Sequence, residues 1–372
     1  MDVLVGLQFG DEGKGKITDM LSKKYDIVAR YQGGANAGHT IYHNGIKIVL
    51  HLIPSGIVHE HTKNFLGNGM VIDPFQLMQE IKEVEEHIPN ARERIFISEN
   101  AHVVTPFHFM EDKENVSTIG STPKGIGPCY RDKIYREGYR VVDFIGNDLN
   151  IEPVDLMGKD QDEFLEFEHF RVGMEFLKTL NIVKSNWLRN QEGEILAEGA
   201  QGTMLDIDHG SYPYVTSSNT VSSGACVGLA MPPQSVGKVY GVFKSYLTRV
   251  GNGDMKTELK NQLGERIQKA GGEFGATTGR PRRCGWLNLD ELKESIELNG
   301  VTDLIMTKSD VLENITPLKI YCGGKYYDFK SWVKADLEDP NFRQYINYIQ
   351  DNLHQRIKIL SVSPNRDGII II

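Results

Sequence analysis

Asp11 stands inside a glycine-rich stretch, "FGDEGKGKITDML" (residues 9–21), whose other features ask for an anion. Gly10, Gly13 and Gly15 allow backbone N–H groups to turn toward a phosphate at the start of a helix, where the helix dipole favours negative charge. Lys14 and Lys16 add positive charge around Glu12. The spacing fits GxxxxGK, but Ile17 occupies the place of the metal-binding Ser or Thr. A carboxylate among phosphate-binding amides is awkward unless a cation or a proton-bearing substrate shares the site. Asp11 can therefore serve as a Mg²⁺ ligand in place of the missing hydroxyl, as a proton acceptor, or as both.

A second glycine-rich turn, "IVARYQGGANAGHT" (27–40), carries His39 next to Gly38. A lone histidine is more often packed or surface-exposed than chemical. Beside the first loop, however, an Asp–His pair offers a base and an acid in one cleft. "LIMTKSDVL" sets Thr307, Lys308, Ser309 and Asp310 directly after an apolar run. In this [NT]KxD pattern Asp310 can accept from guanine N1–H and the 2-amino group, while the Lys308 stem covers the base face. Adenine would leave that carboxylate unpaired, at a cost of roughly 1–3 kcal/mol. With an upstream phosphate loop, the pattern points to GTP. "EFGATTGRPRRCGW" (273–286) puts Thr277, Thr278 and Gly279 ahead of Arg280, Arg282 and Arg283, a cluster suited to carboxylates and phosphates. "EGAQGTMLDIDHGSYPYVTSSNT" (198–220) reads as a long polar binding loop in which Asp206 and Asp208 suit a folding role equally well.

The elements that must position these groups read as alternating strands and helices. "DVLVGL" (2–7) and "YDIVARY" (25–31) predict strands, with a helical run "KITDMLSKK" between them, the opening of a βαβ unit. "HLIPSGI" (51–57) and "FLGNGMVIDP" (65–74) continue the strand–turn rhythm, and "FQLMQEIKEVEEHI" has amphipathic helical spacing. "GEILAEGA" (193–200), "KVYGVFKSYL" (238–247) and "TDLIMTKSD" (302–310) predict further strands ending in polar residues, where ligands gather in open α/β sheets. Residues 148–170 predict an acidic, solvated helical excursion, and 323–352 a polar, aromatic segment without an assigned job. The expectation is one α/β domain over 1–372, with a large mostly parallel central sheet flanked by helices, a P-loop-like GTP-binding architecture and inserted subregions.

The net charge of −9 argues against general nucleic-acid binding, which needs a broad basic face. No run approaches the roughly 18 apolar residues of a membrane span. Four scattered cysteines without a CxxC pair, and no signal peptide, predict buried thiols and a cytoplasmic setting.

Together, "QFGDEGKGK", "RYQGGANAGHT", "HLIPSG", "GIGPCYRDK", "EGAQGTMLDIDHGSYPYVTSSNT", "FGATTGRPRRCGW" and "TKSDVL" resemble the adenylosuccinate synthetase family, from residue 2 to about 315 and again in "ILSVSPNRD" (359–367). The resemblance implies that GTP, IMP and L-aspartate give adenylosuccinate, GDP and phosphate with Mg²⁺. It implies catalytic Asp11 and His39, and Mg²⁺ on Asp11 and the Gly38 carbonyl. GTP would meet Gly10, Asp11, Glu12, Gly13, Lys14, Gly15, Lys16, Gly38, His39, Thr40, Arg282, Lys308, Ser309 and Asp310, with Ser361, Val362 and Ser363 near its base. The nucleotide monophosphate would meet Asp11, Lys14, Asn36, Ala37, Gly38, His39, Thr122, Gln201, Thr216 and Arg280. Arg136 would reach the monophosphate site of the partner subunit in a homodimer. Aspartate's carboxylates would lie in the loop Ala276, Thr277, Thr278, Gly279, Arg280 and Arg282.

The chain departs from the family pattern in being shorter around 145–190 and 325–345, and at Pro123, "GNGDMKTEL" (251–259), Asn288 and Ser363. Two other readings stand beside the synthetase. Shortened viral relatives ligate aspartate to dGMP, and the best-known group of these replaces the loop acid with serine, whereas Asp11 is retained here. A non-catalytic nucleotide sensor would be expected to lose Asp11 or His39.

Overall fold

A computed structural model describes residues 1–119, 123–146, 161–275 and 279–372. Among the described residues its centre is a ten-stranded sheet in which nine strands run parallel and only Ile369–Ile371, at one edge, runs antiparallel to its neighbour. The first strand, β1 (Asp2–Gly6), lies between Ile195–Glu198 and Val239–Lys244. The second, β2 (Ile27–Arg30), pairs with the other side of Ile195–Glu198. Beyond Val239–Lys244 come Asp303–Thr307 and Ile357–Ser361. These strands are buried on both faces, which is why they read as continuous apolar runs. Parallel register brings their carboxyl ends, and the polar sequences that follow them, to one edge of the sheet.

Two predicted strands are corrected. Residues 51–57 contain no strand; the chain bends and forms a single 3₁₀ turn, Ser55–Val58. Pro54 interrupts a ladder there, and the N–H groups of His51, Leu52 and Ile53 instead donate to the buried Glu80 carboxylate at 2.9, 3.0 and 2.9 Å. The run 238–247 divides at Ser245. Val239–Lys244 belongs to the central sheet, whereas Tyr246–Arg249 joins a second, four-stranded sheet.

The predicted amphipathic helix is Pro74–Glu85, capped by Asp73, whose side chain accepts from the N–H groups of Phe75 and Gln76. Against it packs Gln161–Leu177, with His169 stacked on Phe75 at 4.0 Å, so the acidic excursion is in part a docked helix. Segment 323–352 also acquires a role. It supplies a strand, Lys325–Phe329, and a helix, Pro340–Leu353. Trp332, fully buried against Phe342 and Tyr345, donates from its indole N–H to the Ser309 carbonyl at 3.1 Å. All four cysteines are free; Cys129 and Cys284 are buried, while Cys226 and Cys322 are half-buried. No helix among the described residues is long and apolar enough to cross a membrane.

Candidate active site

After β1 the chain turns through Gly10, Asp11 and Gly13, all with left-handed backbone (φ 83°, 58° and 84°), and enters the first helix, α1 (Lys14–Ser22). Gly13 caps α1 without a side-chain hydrogen bond, so the first-turn amides remain available to an anion. The loop is organised by Glu12, which is buried and accepts from the N–H groups of Gln8 (3.1 Å) and Gly10 (2.8 Å). Its other oxygen pairs with Lys14 Nζ at 2.6 Å. Glu12 thus closes the loop from inside.

Asp11, on the rim of that loop, faces Arg282 at 2.7 Å from Nε, an ion pair without hydrogen-bond alignment. Burial opposes the charge on Arg282, but Asp11 and Glu273 favour it, and its pKa is raised. Arg282 NH1 donates to Glu273 at 2.8 Å.

His39 is buried against α1: a Cβ on Gly15 would stand 3.1 Å from the His39 Cβ. Its Nδ1 lies 2.6 Å from Glu198 Oε1, at the end of the central strand Ile195–Glu198. Glu198 also accepts from Ser55 N–H at 2.8 Å and Ser55 Oγ at 2.6 Å. Burial pushes the carboxyl of Glu198 up, but His39, Arg30 and Ser55 overcome it and hold its pKa at about 2. Burial lowers the His39 pKa against the pull of Glu198. With Nδ1 engaged, Nε2 is the nitrogen left for a ligand.

The guanine-type motif meets the phosphate loop through Thr307, whose hydroxyl donates to the Glu12 carbonyl at 2.6 Å. Lys16 ties the loop to the chain's last strands by donating to Ser361 Oγ (2.9 Å), Ser363 O (2.8 Å) and Gly368 O (3.2 Å). Burial lowers its pKa to about 8, while Asp310 and Asp367 work to raise it. Burial also raises the pKa of Asp310, opposed by Lys308 and Lys16. The Lys308 ammonium is taken by Gly271 O and Glu273, both at 2.8 Å, so only its stem is left to face a base. Ser309 is buried beneath it.

Other expected residues lie beside the loop. Gln201, with left-handed backbone (φ 54°), offers its carbonyl to Lys14 and carries a buried Nε2 without a partner. Asn36 reaches Thr216 at 3.5 Å, and the Ala37 carbonyl contacts His51. Thr40 follows His39 on the strand His39–His43. Arg280 is exposed, and its carbonyl accepts from Gly275 N–H, closing the base of the loop that carries Gly279. Arg136 ends the helix Ile126–Tyr135 in an exposed left-handed cap. Thr122, Ala276, Thr277 and Thr278 lie outside the described residues.

The arginine cluster splits. Arg283 is committed to Glu258 and to the carbonyls of Gly251 and Gly253, holding segment 251–259 in place. Asp206 proves to be a loop organiser, accepting from Asp208, His209 and Thr220 N–H. Asn288 is the N-cap of the helix Leu289–Asn299, a task Asn performs as well as Asp. The sequence reading missed Glu198 and Glu273. Glu198 had a signal, since it is the carboxylate ending an apolar run at the sheet's carboxyl edge.

A sequence model of adenylosuccinate synthetase matches residues 3–339. The chain belongs to the adenylosuccinate synthetase family. The adenylosuccinate synthetase of Chlorobium limicola is 45% identical over 415 aligned positions, covering 98% of this chain and 96% of that protein. Because those positions outnumber the chain's 372 residues, the relative carries segments absent here, as the family comparison predicts. The fully ligated adenylosuccinate synthetase of Plasmodium falciparum superposes with a TM-score of 0.90 at 34% identity, covering 100% and 99% of the two chains. The cyanophage S-2L succinoaminodeoxyadenylate synthetase shares the fold, with a TM-score of 0.70 at 20% identity over 100% and 94%. Adenylosuccinate synthetases are ligases of purine biosynthesis, so the catalytic reading stands over the sensor reading.

Among the described residues, no three His, Cys, Asp or Glu side chains form a metal cage. Mg²⁺ commonly takes one or two carboxylates and completes its shell with water and phosphate oxygens. The Asp11 carboxylate, 31% exposed, fits a cation that arrives with a nucleotide.

Proposed function

We propose that this chain joins L-aspartate to C6 of IMP at the expense of GTP, with Asp11 as base and His39 as the group that serves the transferring phosphoryl oxygens. The observation that carries the reading is the close approach of the loop that carries Asp11, at Gly15, to His39 of the Glu198–His39 pair, in a chain with this family's fold. Asp11 takes the N1 proton of IMP, and O6 attacks the γ-phosphorus as GDP departs. The amine of aspartate then adds at C6, phosphate leaves with O6, and the amine loses a proton. Phosphorylation converts a poor leaving group into a good one.

Asp11 and the Gly38 carbonyl would hold Mg²⁺, which neutralises phosphate charge when bound. Glu198 fixes the imidazole so that Nε2 faces the ligand. An arriving phosphate adds negative charge at Nε2 and favours the imidazolium, so His39 takes up a proton as the anion binds. Arg282 leaves Asp11 for substrate anions, which frees the carboxylate for chemistry. Asp310 reads the guanine edge, and Lys16 with Ser361–Ser363 borders it. Gln201, Asn36 and Thr216 receive the monophosphate nucleotide, and the loop around Gly279 receives aspartate.

The chain works as a homodimer in the cytoplasm on this reading. Ile134 and Tyr135, 76% and 66% exposed, flank Arg136, and a second copy covering them would bring that arginine to its partner's monophosphate site. Light scattering that returned only monomer with substrates present would rule this out.

Incubating the purified chain with GTP, aspartate, Mg²⁺ and either IMP or dGMP tests the reaction. Adenylosuccinate from IMP is the expected product. Turnover confined to dGMP would overturn the choice of acceptor, and no turnover with either would overturn the reaction itself.

A further inference from the structure

Glu273 is wholly buried, yet cations from three separate elements converge on it. Oε2 accepts from Arg282 at 2.8 Å. Oε1 accepts from Lys308 at 2.8 Å, from the Tyr246 hydroxyl at 2.5 Å and from Lys244 at 3.3 Å. Lys244 ends a central strand, Arg282 closes the loop that follows Gly275, and Lys308 opens the turn of the TKSD motif. Burial disfavours a charged carboxyl here, but Lys244, Lys308 and Arg282 outweigh it and hold Glu273 ionised well below the usual range. One carboxylate is thus shared by Lys308, in the TKSD turn, and Arg282, which faces Asp11.

We propose that Glu273 is a positioning residue that seats the purine-facing Lys308 and the anion-gripping Arg282 on one carboxylate, so that filling either ligand site strengthens the other. The proposal rests on the ligand assignments just made for those two side chains. With Nζ pinned between Gly271 O and Glu273, the Lys308 stem is held in one course, as a wall for a base. With NH1 pinned, the rest of the Arg282 guanidinium turns toward Asp11. A ligand that orders either cation also fixes the carboxylate between them, so the second ligand has less disorder to remove. The coupling is reciprocal by linkage.

Calorimetric binding of GDP and of ADP to the full chain, with and without aspartate, tests this without requiring turnover. In the wild type, aspartate should tighten GDP binding about fivefold or more, the lower range of such couplings, and GDP should be preferred over ADP. Glu273→Gln should abolish the enhancement and erode the GDP preference by about tenfold, the loss of one charge-assisted hydrogen bond. Glu273→Asp keeps the buried charge but is one methylene too short to reach both cations. It should fold, retain part of the preference and still lose the enhancement. Wild-type enhancement in either folded variant would overturn the proposal, as would a wild type in which aspartate leaves GDP binding unchanged. Adenylosuccinate formation by the wild type is measured separately, so failure of the reaction and failure of the coupling give different results.

Discussion

His39 Nδ1 and Glu198 Oε1 lie 2.6 Å apart, joining a residue of the second glycine-rich turn to one that follows it by 159 positions. On the proposed mechanism the carboxylate fixes which imidazole nitrogen faces the site, and supplies the charge that stabilises an imidazolium when phosphate binds. Glu198→Gln keeps the shape and removes that charge. It should lower kcat roughly 10²–10³-fold, within the range for disabling an acid–base group, with a smaller change in KM for GTP. Steady-state kinetics check this; wild-type kcat in the folded variant would remove Glu198 from the mechanism.

Asp11 carries two assigned roles, and its side chain faces Arg282. Asp11→Ala should reduce kcat by roughly 10²–10⁴-fold, the value of a positioned base. Circular dichroism should show an intact fold, because Glu12, not Asp11, binds the loop amides. Near-normal turnover would be decisive against the base assignment.

Lys16 yields a pH prediction. Its pKa, lowered by burial to about 8, means that the ammonium is present below pH 8 and lost above it. The value of kcat/KM for GTP should therefore fall on the order of tenfold per pH unit above this break, as one essential proton is lost. Lys16→Arg, which stays charged, should move the break out of range. Stability responds with the opposite sign. A folded pKa below the unfolded value of about 10.4 means the buried ammonium is least favourable below pH 8, a cost relieved as pH rises toward 10.4. A break that persists in the arginine variant would assign it to another group.

Trp332 supports the Ser309 carbonyl from a segment that carries no recognisable motif. Trp332→Ala should destabilise the protein by about 3–5 kcal/mol, as for other large buried aromatics, and raise KM for GTP more than KM for IMP. Thermal melts and separate KM measurements check both halves. Equal rises in the two KM values would show that the loss is general and not passed through the Lys308–Asp310 turn.

Much of the site was legible before the fold. The GDEGKGK loop, the GGANAGHT turn and TKSD are local: the glycines, the charges and the hydrogen-bonding edge lie within a few residues of one another, so chain geometry alone brings them close. Strand runs were legible for the same reason, as burial on both faces demands continuous apolar sequence. Local sequence also left errors. Residues 51–57 are apolar enough for a strand, but Pro54 and the distant Glu80 carboxylate take their backbone elsewhere. Arg283 looked like its neighbour Arg282 until Glu258 claimed it.

The sequence by itself determined the family, the apolar strands and the phosphate-binding loop with its acid. Only the tertiary structure decided which carboxylates serve which cations. Glu198 reaches His39, and Glu273 gathers Lys244, Arg282 and Lys308. The reason is physical: a buried charge must find its partner wherever the parallel sheet brings strand ends together, and those neighbours are set by strand order rather than by position along the chain.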